Sequence, residues 1–245
     1  MPLSETGNKQ KRTREKENLM KRPRIWILIA VLFLLLITVS IVSFRGKANP
    51  KILPPESRVQ GLTYGEWSAK WWQYVLSIPA SENPLNGEIG NKCVYQQNGN
   101  VGLIAVDPLV GETIECEVPT GMTLFLDILS AECSSVEPDP FYGGNEEEMR
   151  ECALSFTITD LQASVDGVAV ENLDQYIHTS PIFDFTLPED NILGTTDVFS
   201  GQSVSNGAHL MLAPLSRGEH TVYLHGSVPE LEYTVDMNFE FTVTK

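Results

Sequence analysis

Carboxylates are the richest chemical resource in this sequence, and two stand where a reaction or a ligand would use them. Glu66 lies beside Trp67, Trp71 and Trp72, and Glu132 ends an apolar run next to Cys133. Glycoside hydrolysis needs two carboxylates about 5–9.5 Å apart, one of them desolvated. Aromatic flanks suit a sugar cleft, so Glu66 and Glu132 are the candidate pair of a carbohydrate-active hydrolase. A structural role competes for Glu66, because Thr63 and Glu66 have the spacing of a helix capping box. Twenty-nine acidic residues follow position 24, so a chance pairing is also easy to find.

A second group of acids runs from Glu137 to Glu148 and includes Asp139, Glu146, Glu147 and Glu148 around Gly143 and Gly144. Oxygen ligands on a glycine-containing loop suit Ca²⁺, which takes six to eight of them. The spacing is not that of an EF-hand. The alternative is a solvated loop, with Glu146–Glu148 opening a short helix where negative charge meets the N-terminal dipole. The histidines are His178, His209, His220 and His225. His220 and His225 are five apart on one expected strand and so face opposite sides, which rules out a two-ligand clamp there. Phosphate-loop, dinucleotide, zinc-protease and nucleophile-elbow signatures are all missing. No cofactor is expected beyond the calcium alternative.

Trp67, Trp71, Val75 and Ile78 recur at helical spacing after Thr63, and Pro79 closes the segment. Trp72 widens the apolar stripe. Three tryptophans in six residues either lock this helix onto a sheet or form an aromatic binding platform from Trp67, Trp71 and Trp72.

The elements that must position these groups begin with an uncharged run of twenty residues, Ile25–Phe44. It is long enough to span a bilayer core as a helix. Residues 1–24 carry eight basic and three acidic groups, a net of +5, and the rest carry nine basic and twenty-nine acidic, a net of −20. The Lys/Arg bias keeps the N-terminus cytoplasmic and sends the remainder outside. A cleaved signal peptide competes, with Gly46 and Ala48 as small residues at the site. Length and the flanking Arg45 and Lys47 favour an uncleaved anchor. The acidic outer portion argues against nucleic acid, whose phosphates need Lys/Arg.

The expected organisation is a disordered basic tail over 1–24, an anchor over 25–44, a proline-containing stalk over 45–60 and one domain over 61–245. Four cysteines lie in the outer portion, an even count in an oxidising compartment. The favoured pairing is sequential, Cys93–Cys116 and Cys133–Cys152. Zinc is the alternative, weakened because no pair has C-x-x-C spacing. From Cys93 onward strand signals dominate: 101–106, 122–129, 154–159, 161–165, 209–215, 221–225, and a clean alternation over 233–243. No amphipathic helix is expected after Pro79. The fold class is therefore mainly β, an antiparallel β-sandwich with one N-terminal Trp-rich helix, preceded by a single transmembrane helix.

Tyr64-Gly65-Glu66-Trp67-Ser68-Ala69-Lys70-Trp71-Trp72-Gln73 resembles the opening signature of a group of exported or membrane-anchored microbial proteins. Val118-Pro119-Thr120-Gly121, Ala131-Glu132-Cys133-Ser134, Val165-Asp166-Gly167 and Pro214-Leu215-Ser216-Arg217-Gly218-Glu219-His220-Thr221 match the same group in order. The group usually has V-P-A-G where this chain has Thr120. The resemblance covers about residues 60–245 and implies export and one domain, but no activity. The expected function is an outward-facing binding module of the cell envelope, for a surface polymer or a partner protein. The carbohydrate-active hydrolase is the alternative.

Overall fold

A computed structural model describes residues 51–87, 90 and 93–245. The expected tail, the anchor Ile25–Phe44 and the first part of the stalk lie outside the described residues. Among the described residues no helix is long and apolar enough to cross a membrane.

Among the described residues eleven strands make two sheets. The first contains β1 (Val94–Asn98), β2 (Val101–Ala105), β4 (Thr123–Ser134), β9 (Ser200–Leu212) and β7 (Ile177–Thr179) in that spatial order, with β8 (Phe183–Thr186) also paired to β9. The second orders β3 (Thr113–Pro119), β11 (Tyr233–Thr244), β10 (Gly218–Val228), β5 (Thr159–Val165) and β6 (Val168–Ala169). One apolar core joins them, with Leu126, Leu129 and Ala208 of the first sheet clustered with Val235, Met237 and Phe239 of the second. The fold is mainly β and sandwich-like.

Pairing is mixed, which corrects the antiparallel expectation. β2 runs parallel to β4, and β3 runs parallel to β11. The cause is a crossover: between β2 and β4 the chain leaves for the other sheet as β3, so it returns in the same direction.

β11 shows how the sequence dictates its face. Val235, Met237, Phe239, Phe241 and Val243 are buried while Thr234, Asp236, Asn238, Glu240 and Thr242 are exposed, the two-residue period of a half-buried strand. Asp166 and Gly167 take φ of 49° and 74°, the left-handed pair of a tight hairpin turn between β5 and β6.

Among the described residues two α-helices flank the sheets: α1 (Tyr64–Leu76) and α2 (Glu146–Ser155). The second contradicts the expected strand over 154–159 and the expectation of no helix after Pro79. Its apolar face is narrow, with only Met149 and Ala153 buried. Asn145 caps it through Glu148 N–H, and Cys152 bonds it to Cys133 on β4. The other disulfide joins Cys93 to Cys116. Stalk residues from Lys51 onward lie against the domain: Ile52 is buried and bridges Leu212, and Leu53 N–H donates to the Met211 carbonyl.

Candidate functional site

α1 starts at a complete capping box. Thr63 Oγ1 accepts from Glu66 N–H, and Thr63 N–H donates to Glu66 Oε2 at 2.7 Å. The backbone bond from Thr63, then its hydroxyl, and finally Arg58 hold the Glu66 carboxyl below its usual range. Glu66 is thus a cap. Gly65 lets the helix close onto β7, since a Cβ there would stand 2.5 Å from the Thr179 carbonyl oxygen.

The tryptophans divide by role. Trp67 is 1% exposed and donates from Nε1 to the Val59 carbonyl. That makes it part of the core rather than a binding surface. Trp71 is 3% exposed and donates to the Ile104 carbonyl at 2.6 Å. Trp72 is half-buried, stands edge-on to Trp71, and its Nε1–H has no partner among the described residues.

Beneath α1 the sheet presents a polar layer. Asp127 lies opposite His209 and Glu132 opposite Ser205 across β4 and β9. Ser68 Oγ is 2.8 Å from Ser205 Oγ and 3.2 Å from His209 Nε2, and Ser130 Oγ donates to Asp127 at 3.0 Å. Asp127 also approaches His209 Nε2 at 3.2 Å. These residues have the makings of a Ser–His–Asp relay, but a relay places serine and carboxylate on opposite ring nitrogens. Here both meet Nε2. Burial pushes His209 down to about 3, aided by His178, so the ring is neutral and braces the helix.

β2 pairs with β4 only from Thr123 to Leu126. From Asp127 on, β4 keeps β9 on one side and, among the described residues, has no strand on the other. A cavity of about 330 Å³ opens at this free edge. Trp71, Trp72, Leu85 and Phe141 wall it toward the helix, and Tyr233, Val235 and Met237 toward the second sheet. Its polar lining comes chiefly from three carboxyls, Asp127, Glu132 and Glu137, and no Lys, Arg or His is among the described lining residues.

Each carboxyl sits above its ordinary range. Asp127, 16% exposed, is raised to about 7 by burial, partly offset by Ser130. Glu132, 4% exposed, is raised well above its usual value by burial and by hydrogen bonding to Glu137. Burial raises Glu137 as well. Two neighbouring carboxyls in so buried a setting do not readily ionise together, because each charge disfavours the other. Ser203 Oγ donates to Glu132 Oε2, whereas Oε1 is buried without a hydrogen-bond partner among the described residues. Tyr233, beside Asp127 and Asp107, is pushed up to about 12, mainly by burial.

The structure therefore joins Glu132 to Glu137, with Asp127 farther along the same strand, and leaves Glu66 outside the cavity lining. Asp127 is not among the candidates read from the sequence, and Glu137 enters there only as the start of the acidic loop considered for calcium. The available signal for Asp127 was a charge inside the apolar run Leu124–Leu129.

A second constellation lies elsewhere. His220 Nδ1 is 2.9 Å from Asp166, and His220 Nε2 is 3.2 Å from Ser216 Oγ. These are opposite nitrogens, as a relay requires. However, Nε2 is also 3.0 Å from the Ser216 carbonyl oxygen, which only accepts. The nitrogen that would take the serine proton therefore already carries one. Asp166 additionally accepts from Lys51 and from Thr221 N–H. The group clasps the loop before β10 to the β5–β6 turn.

The calcium candidates do not converge. Glu146 pairs with Arg150 at 2.7 Å, Glu148 accepts from Gly144 N–H, and both belong to the first turn of α2. Glu147 and Asp139 are exposed. Among the described residues no three His, Cys, Asp or Glu side chains gather in a metal-binding group.

No protein-family model matches the chain. No curated protein matches it either. Among solved structures, the solution structure of Amebosin aligns at a TM-score of 0.19 with 9% identity, over 53% of this chain and 88% of that one. So low a score carries no argument about fold or function.

Proposed function

We propose that this chain is an outward-facing, membrane-anchored binding module that takes a small ligand in the cavity at the free edge of β4. The observation that carries the reading is Glu132, a carboxyl buried in an apolar cavity with one oxygen unsatisfied. Leaving such an oxygen without a donor costs roughly 1–3 kcal/mol, so its retention favours a role in recognition. The volume lies at the lower end of the range for small-molecule sites, about 300–1,000 Å³. Two disulfides support an oxidising compartment, and the Ile25–Phe44 run supports the anchor. The resemblance to exported microbial proteins is consistent with both. The reading is tested by the melting temperature of the full-length chain in lipid nanodiscs against a panel of small amphiphiles. Saturable increases that vanish in Ala131→Leu, which narrows the cavity, are expected; a panel without effect overturns it.

A hydrolase is the second reading, favoured by Glu132 and Glu137 lining one cavity with both carboxyls above their ordinary range. Such a pair activates water in other enzymes. Turnover of ester, amide or aryl-glycoside substrates, lost in Glu137→Gln, would select this reading; no turnover in any class would remove it.

A further inference from the structure

We infer that the ligand of this cavity is an organic amine on an apolar body, its ammonium seated at the Glu132–Glu137 pair and its body against Trp71, Trp72 and Phe141. This rests on the binding reading above. The wall residues are mostly aromatic or aliphatic, the donors there are the Trp72 Nε1–H and the Ser130 and Tyr233 hydroxyls, and the charge-bearing groups are carboxyls with no opposing cation among the described lining residues. A ligand without a hydrogen-bond donor would leave Glu132 Oε1 unsatisfied, and a hydroxyl offers a single donor to two carboxyls. An ammonium supplies three N–H donors. The indole faces of Trp71 and Trp72 attract cations as well. An anion would meet three carboxyls and no base.

Seating a cation favours the ionised form of both carboxyls, which burial holds above their ordinary range, and so expels a proton. The groups facing Glu132 are Glu137 from the loop after β4, Ser203 from β9 and the rings of α1, while Asp127, Asp107 and Tyr233 lie at the other end. All the titrating neighbours are acids whose ionisation favours a bound cation. Binding therefore releases protons, and amine affinity rises with pH.

The test is calorimetric titration of the full-length chain in lipid nanodiscs with phenethylamine, 2-phenylethanol and phenylacetate, which share a body and differ at the terminus. Expected is an amine affinity at least about tenfold above the alcohol, no heat from the carboxylate, and a gain of about threefold or more from pH 6 to pH 8. Glu137→Gln, at a half-buried loop position, and Glu132→Gln should each erase the amine preference. Equal binding of amine and alcohol, or a preference that survives both substitutions, overturns the inference and leaves a small-ligand site standing. No binding of any of the three, with no stabilisation by the amphiphile panel, overturns both.

Discussion

Trp71 donates its indole N–H to the Ile104 carbonyl at 2.6 Å, at the residue where β2 stops running beside β4. One hydrogen bond thus ties α1 to the end of a strand and fixes one rim of the cavity. Replacing Trp71 by Phe keeps most of the apolar contact and leaves the Ile104 carbonyl unpaired, at a cost of about 1–3 kcal/mol. Trp71→Ala also removes the ring and should cost about 3–5 kcal/mol. Urea unfolding of both variants measures the difference.

Gly65→Ala separates helix propensity from packing. Within a helix Ala is better than Gly by about 0.8–1 kcal/mol. The added Cβ would stand 2.5 Å from the Thr179 carbonyl oxygen, a backbone atom that has little room to yield. A net loss of stability and a displaced α1 are expected; a stabilised variant would show that the approach is loose.

Asp127 makes stability depend on pH in a defined direction. Its folded value of about 7 lies above the ordinary unfolded value, about 3.9. The contribution is full below about pH 4 and is lost as pH rises to about 7, by at most roughly 1.4 kcal/mol per unit. His209, lowered to about 3, acts oppositely: its contribution is full above about pH 6.5 and lost as pH falls toward 3. Asp127→Asn removes only the first effect. Between pH 4 and 7 the wild type should lose stability relative to this variant, followed by melting temperature; parallel profiles would contradict the assignment.

Cys133→Ser with Cys152→Ser opens a bridge between residues 19 apart and should cost about 3 kcal/mol in the loop-entropy model. Because α2 buries little else than Met149 and Ala153, hydrogen exchange should show that helix opening first.

Much of the frame was legible in the residues themselves. Thr63 and Glu66 announced the start of α1, the alternation from Tyr233 to Val243 announced β11, and Asp166-Gly167 announced a tight turn. α2 was hidden because a helix held by a disulfide needs almost no apolar stripe, and Leu154 and Phe156 mimicked a strand. The cavity was illegible for another reason. It exists because β2 ends at Ala105 while β4 continues to Ser134, and no local pattern states how long a neighbouring strand will be. Glu132 was noticed as an acid closing an apolar run, but its partner Glu137 reached it through a loop fold that spacing does not encode. The Tyr64–Gln73 and Ala131–Ser134 segments meet at the cavity, and the Asp166 and Ser216–His220 segments meet at the clasp.

The most direct test of the cavity as a binding site is a calorimetric titration of phenethylamine into the Ala131→Leu variant of the full-length chain beside the wild type. Ala131 lines the space, so a larger side chain there should fold at an unchanged or higher melting temperature and abolish the heat of binding. A variant that binds as the wild type does would place the ligand elsewhere and contradict the account.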